Sequence, residues 1–274
     1  VPIEALALVL LSAIIHAAWN LLVKSSGDRL LTGWAQLAVG GLVGIPFLVG
    51  ADLTGLGWFI AASAAVETLY VLALVKAYEV ADLSLAYPIA RGTAPVLVAA
   101  GGALFLADFP PPLAAVGIAV VVAGILVLAR QRGPGVGWAV LTGCFISIYT
   151  LIDTAAVRRS EDPVGYTVAV FLVGAGLLAP IVAARRWASI GRRDRVRLLW
   201  SWHPLVAGAL SLSAYALVLV AVRMAPVGPV AALRETSVVF GALGGWLLLG
   251  EPMDRRRPLA AALVAAGGVL IGLS

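Results

Sequence analysis

Charge is scarce in this chain. Only 12 % of its 274 residues are charged and 62 % are apolar, whereas a water-soluble domain carries roughly twice that share of charge. The single cysteine, Cys144, excludes an internal disulfide and any thiolate cluster. With two histidines, one cysteine and no H-E-x-x-H pattern, a transition-metal centre is not expected. No G-x-x-x-x-G-K-S/T loop is present, which excludes an ATP-driven pump by that criterion. No cofactor is expected, and no enzymatic chemistry.

What the chain has instead is apolar runs of span length. About 20 apolar residues cross the ~30 Å of bilayer hydrocarbon as a helix. Ten such spans are expected, at 3–23, 31–50, 58–78, 84–106, 112–129, 138–157, 164–184, 205–223, 228–249 and 258–273. Helices are required because backbone groups in lipid must be satisfied within the segment. The runs do not alternate with period two, which argues against a β-barrel. The opening Val1-Pro2-Ile3-Glu4 has no basic region before the first run, so that run is expected to be a span and not a signal peptide.

The net charge of +5 reflects topology and not a nucleic-acid partner. Loops after odd spans hold 14 Lys and Arg, whereas loops after even spans hold only Arg158, Arg159 and Arg223. Odd loops are therefore expected in the cytoplasm and both termini outside. Trp34, Trp58, Trp138, Trp187, Trp200 and Trp202 lie near span ends, where amphipathic rings favour the interface. The segment from Arg185 to His203 mixes Arg with Trp, Leu and Ile. It reads either as a basic stretch on the lipid surface or as a solvated loop.

The two halves of the chain resemble each other. Leu106-Ala107-Asp108 matches Leu249-Gly250-Glu251, and Arg91 with Thr93 matches Arg234 with Thr236. Pro112-Leu113-Ala114-Ala115 matches Pro258-Leu259-Ala260-Ala261, and Tyr70 answers to Tyr215. Five spans per half make the second copy insert upside down. The expected fold is an all-α polytopic membrane protein of ten helices. It is arranged as two inverted five-helix repeats, 1–130 and 131–274, around a central cavity.

These residues resemble the EamA family of the drug/metabolite transporter superfamily, which includes amino-acid exporters of the YddG type. The resemblance rests on His16-Ala17-Ala18-Trp19-Asn20, on Ala86-Tyr87-Pro88-Ile89-Ala90-Arg91-Gly92-Thr93, on Tyr149-Thr150-Leu151-Ile152-Asp153, and on the span-end pairs Ala107-Asp108 and Gly250-Glu251. It implies a basket whose cavity is lined by spans 1, 3, 4, 6, 8 and 9, with spans 5 and 10 peripheral. It also implies a secondary transporter of small metabolites. Amino acids are the foremost substrate class and export the direction. The expected setting is a bacterial cytoplasmic membrane, as a monomer or weak homodimer. A lipid-carrier flippase or small-drug efflux protein is the alternative within transport; an intramembrane enzyme or assembly factor is the alternative outside it.

Ionisable groups inside spans cost at least ~2.5–3.5 kcal/mol each and need partners. Glu67, Arg91, Asp153, Arg234 and Glu235 are such groups, and the three acids are candidates for proton coupling. Arg91 reads either as a carboxylate clamp or as an ion-pair partner of Glu67 or Glu235. Arg234 reads as a gate element or as packed against Asp153. His16 reads as a proton carrier or as a core histidine, with Trp19 and Asn20 beside it. Trp19, Tyr70, Tyr87, Tyr149 and Tyr215 are candidates for an aromatic lining. Ser84, Tyr87 and Arg91 share a face of span 4. Pro88 and Pro95 are expected to interrupt that span as a hinge. Small-residue ridges are expected at Gly40 and Gly44, at Gly241 and Gly245, and at Gly268 and Gly272.

Overall fold

The computed structural model describes residues 1–24, 29–80, 83–127, 135–187, 202–249 and 256–274. Among them no strand occurs and eleven α-helices do. These are α1 (Ile3–Lys24), α2 (Arg29–Gly44), α3 (Gly57–Val80), α4 (Leu83–Leu106), α5 (Pro112–Val127), α6 (Val136–Val157), α7 (Pro163–Val182), α8 (Trp202–Ala221), α9 (Val227–Arg234), α10 (Ser237–Leu249) and α11 (Arg256–Gly272). A 3-10 turn, Ile45–Leu48, extends α2, and a π turn, Ala183–Trp187, extends α7. All ten expected spans are helical within a helical turn of their expected bounds. Span 9 is the pair α9 and α10.

Six of these helices are long and apolar enough to cross a membrane, and three shorter apolar helices lie at 112–127, 205–221 and 258–272. Large apolar side chains face outward along them, among them Leu42, Phe47, Leu104, Phe105, Leu247 and Val269. Such a surface is paired with lipid and not with water. Trp58 and Trp138, at the starts of α3 and α6, are also exposed, as rings at an interface are.

The helices pack in pairs. The main ones are α1 on α8, α3 on α6, α4 on α6, α2 on α7 and α8, and α5 on α11. Close approach depends on a few glycines. A Cβ on Gly40 would stand 2.8 Å from the Gly208 carbonyl oxygen, and one on Gly267 would stand 2.7 Å from that of Gly117. Along α2, Gly41 meets Leu172 and Gly44 meets Val168; along α5, Gly117 meets Ile271 and Gly124 meets Leu263. Numbers rise on one helix and fall on the other, so α2 runs antiparallel to α7 and α5 antiparallel to α11. The ridge expected at Gly40 and Gly44 is borne out. The pair Gly268 and Gly272 needs correcting, and of the pair Gly241 and Gly245 only Gly241 has described surroundings. Among the described residues a Cβ on Gly241 would meet nothing within 4 Å, and those on Gly268 and Gly272 would make only ordinary contacts at 3.7 and 3.5 Å. The tight glycine of α11 is Gly267, because that face of the helix turns to α5.

The expected interruption of span 4 is not found. α4 runs unbroken through Pro88 and Pro95. Each proline removes one backbone donor, and the neighbouring helices keep the rest of the helix in register. The break falls in span 9, at Glu235 and Thr236. There Glu235 N–H donates to Ala232 O and Thr236 N–H to Leu233 O, three residues back and not four. The Thr236 hydroxyl donates to the same Leu233 oxygen at 2.8 Å, competing with the helical ladder.

The chain ends meet, the Val1 ammonium donating to Ser274 O at 3.1 Å. Both termini therefore lie at one end of the bundle. Glu251, the basic segment 188–201, Arg130, Arg132 and Arg255 lie outside the described residues, and so does the side chain of Ser84.

Candidate functional site

Most hydroxyls in this bundle are satisfied by their own helix. Thr68, Thr93, Thr142, Ser147, Thr154 and Thr167 each donate to the carbonyl four residues back, at 2.7–2.8 Å. That is the inexpensive way to bury a donor in lipid. A few buried polar atoms have no such partner: Trp19 Nε1, Ser63 Oγ, Glu67 Oε2 and Arg234 Nε. They come from α1, α3 and α9, and all four belong to the same interior.

The centre of that interior is Asp153. It is fully buried, one helical turn beyond Tyr149 on α6. The Tyr166 hydroxyl on α7 donates to its Oδ1 at 2.7 Å, and the Tyr215 hydroxyl on α8 donates to its Oδ2. Aromatic rings continue outward from this point. Tyr215 meets Tyr149 edge-on at 6.1 Å, Tyr149 meets Tyr70 edge-on at 5.9 Å, and Phe171 stacks on Tyr215 at 6.4 Å. The Arg234 guanidinium lies 5.3 Å from the Tyr215 ring centroid, within cation–π range. Arg234 thus reaches Asp153 through a ring. Among the described residues no carboxylate comes within ion-pair distance of it.

The second group sits at the break in span 9. Arg91 Nε lies 2.7 Å from Glu235 Oε2, off the line of the N–H, since neither atom meets hydrogen-bond geometry. Arg91 Nη2 donates to Ser237 Oγ at 3.0 Å, and the guanidinium lies 5.9 Å from the Tyr87 ring centroid. Of the two partners open to Arg91 in sequence, Glu235 is the one taken. One ion pair therefore ties α4 to the turn between α9 and α10. Discontinuous spans of this kind recur at transporter binding sites.

On α1, His16 is buried and meets Trp19 edge-on at 5.0 Å. Asn20 is the expected site residue that the structure draws away, because its amide donates to His16 O of its own helix at 2.8 Å. Glu67 is buried on α3, a helix that packs on α6 and α7. Spans 1, 3, 4, 6, 8 and 9 each place a buried polar or aromatic side chain in this interior, and α7 adds Tyr166 and Phe171.

A narrow hollow, on the scale of a water molecule and not of a metabolite, leads from Val222 and Val227 past Val98 and Val230 to Arg234 and Glu235. Its outer end is latched. Asp108 Oδ2 accepts from Arg158 Nη2 at 3.0 Å and from the Val227 amide at 2.6 Å, at the start of α9. Arg158 also donates to Val222 O at 2.8 Å and Ala225 O at 3.0 Å. The ends of spans 4, 6 and 8 and the start of span 9 are joined in this way. The residue before the acid makes this possible. Ala107 adopts a left-handed φ of 52°, and Asp108 N–H donates back to Gly102 O at 3.0 Å. This is a helix-ending turn that favours Gly or another small residue, which accounts physically for the small-acidic pair. Tyr166, Ser237 and Arg158 were not singled out in the sequence. Ser237 could have been found from its place beside Arg234-Glu235-Thr236, and Tyr166 as a phenol in the first turn after Pro163.

A solved crystal structure superposes on the whole chain and on 98 % of its own length with a TM-score of 0.81, at 19 % identity. It shares the fold. A probable 4-amino-4-deoxy-L-arabinose-phosphoundecaprenol flippase subunit ArnE of Pseudomonas aeruginosa is 32 % identical over 106 residues. That match takes in 38 % of this chain and 90 % of the relative. The protein of the same description from Pseudomonas paraeruginosa is 31 % identical over 104 residues, 37 % of this chain and 88 % of the relative. The EamA-like transporter family model matches residues 133–273. The family is one of transporters and not of enzymes. This chain belongs to the EamA-like transporter family.

Proposed function

We propose that this protein moves small polar metabolites, amino acids foremost, across a bacterial cytoplasmic membrane by alternating access without ATP, chiefly outward. The observation that carries the reading is the meeting of incompletely partnered charges from both halves at a broken span. Arg91 of the first half faces Glu235 and Ser237 of the second, beside Arg234, which has no carboxylate partner among the described residues. A static scaffold would fill such a place with apolar side chains at lower cost.

The two inverted repeats, 1–130 and 131–274, belong to this reading. The helices they would make equivalent, α2 with α7 and α5 with α11, run antiparallel. Exchanging each span for the one five places on turns the α3–α6 pair into the α8–α1 pair, and both are found. The matched relatives are less than half as long as this chain and are named as subunits, as one repeat would be if it were a separate polypeptide. The Asp108–Arg158 latch is then the closed outer gate, and the surrounding face carries both termini.

A second reading has its own support. The curated relatives are named for a flippase of a lipid-linked amino sugar, so a lipid-carrier head group is the competing cargo. Purified protein in liposomes should move labelled amino acids above empty vesicles. Flux of a fluorescent lipid-linked sugar, with none for any amino acid in a broad panel, would transfer the reading to the flippase.

A further inference from the structure

We propose that Glu67 holds a proton in this closed conformation, and that this proton couples the transport cycle to a pH gradient. The coupling half of the proposal rests on the transporter reading above; the protonation half stands on the geometry alone.

Two carboxyls share this interior and are treated in opposite ways. Asp153 receives one phenol hydroxyl on each oxygen, from Tyr166 and from Tyr215. An ionised carboxylate is an acceptor only, and two O–H donors are what it requires. Glu67 receives nothing on Oε2, although that atom is buried. A buried carboxyl oxygen left without a donor costs more in the charged form than in the neutral one. The hydrogen-bond pattern therefore assigns the charge to Asp153 and the proton to Glu67.

The cations agree. Arg91 is taken by Glu235 at 2.7 Å. Arg234 lies over the Tyr215 ring that donates to Asp153, and as a single cation it balances one negative charge, not two. Glu67 is surrounded by Tyr70 on its own helix, Tyr149 and Asp153 on α6, Tyr166 on α7, Tyr215 on α8 and Arg234 on α9. α4 contributes Tyr87 and Arg91, and α2 has no ionisable residue beyond Arg29 at its first position. Room for the acid is made by α7, where Gly174 leaves a Cβ position 3.8 Å from Glu67 Oε2. Arg234 ends α9 at the break, so it is placed to travel when the two pieces of span 9 move. Its approach to Glu67 would release the proton, and its return would restore it.

The direct test uses protons alone. Infrared spectra of the purified protein in lipid and D2O, at neutral pH, separate the carbonyl stretch of a protonated acid from that of a carboxylate. The band of a protonated acid is expected in the native protein, absent in Glu67→Gln and restored in Glu67→Asp. Gln is the neutral isostere of the protonated side chain, so the fold should hold. A band that persists in Glu67→Gln, or none in the native protein, overturns the assignment. The transport arm uses whichever labelled amino acid gives flux in liposomes. With one proton per substrate, a gradient of one pH unit should sustain about tenfold accumulation. Glu67→Gln should lose that response. Native flux that ignores the gradient overturns the coupling and leaves the transporter reading intact. No flux of any probe in the native protein defeats the transporter reading, and the infrared result still decides the proton.

Discussion

Replacing Asp108 with Ala should loosen the end of the bundle that carries the termini, by an amount that can be worked from the latch. The Arg158–Asp108 pair lies between surface and interior, its side chains 28 % and 12 % exposed. Exposed pairs contribute about 0–1 kcal/mol, and breaking fully buried ones costs about 3–5 kcal/mol. A value near 1 kcal/mol is reasonable for this half-wet pair. The Val227 amide also loses its carboxylate at a helix start, worth about 1 kcal/mol more. If both contacts exist only in the closed arrangement, the closed-to-open ratio falls by about 2 kcal/mol, or about 30-fold. The readout is a cysteine at Val230, fully buried in the hollow beneath the latch, in a background where Cys144 is replaced by Ala. A maleimide that cannot cross the bilayer labels the open population, so its rate should rise by about the same factor. Arg158→Lys should fall between, keeping the charge but losing the fork that spans Val222 and Ala225. An unchanged rate in well-inserted Asp108→Ala protein would refute the latch, as would equal acceleration of a label on the opposite face.

Arg91→Ala should abolish transport while leaving membrane insertion near native levels. It also strands Glu235, at about 3–5 kcal/mol of stability, so flux should be normalised to inserted protein and thermal melting followed in parallel. Tyr215→Phe keeps the ring over Arg234 but removes the donor to Asp153 Oδ2, and a stability loss of about 1–3 kcal/mol is expected by melting in detergent. Gly267→Ala and Gly40→Ala should each lower the melting temperature, since the new methyl meets a backbone oxygen at 2.7 or 2.8 Å, whereas Gly241→Ala should be neutral because nothing lies within 4 Å.

The number and bounds of the spans were legible in the sequence because lipid makes one demand of every segment, and continuous apolar runs announce it. The choice of functional residues was legible for the same reason: ionisable groups are too costly inside a membrane to be incidental. Partner choice was not. Arg91 could have reached Glu67 or Glu235, and only the crossing of α4 against the α9–α10 turn decides between them. Prolines misled for a physical reason. A proline removes one donor, and packing on both sides kept α4 continuous. The real break came where a threonine hydroxyl and an ion pair competed with the ladder at Thr236 and Glu235. Glycine ridges were ambiguous because the spacing repeats on every face, and only the packing tells which face of α11 meets α5.

The divided ninth span bears on how the protein is made. Its pieces have 8 and 13 residues, each too short to traverse a bilayer alone, and the turn between them carries Glu235, next to Arg234 at the end of the first piece. The apolar second piece favours lipid, but the charges of Arg234 and Glu235 work against insertion before their neighbours are present. Its first piece rests on α4 and α1, which emerge from the ribosome long before it does. The early half of the polypeptide thus acts as a template for inserting the late half, and a truncated product lacking α1 or α4 should be cleared by membrane quality control with its last spans still outside the bilayer.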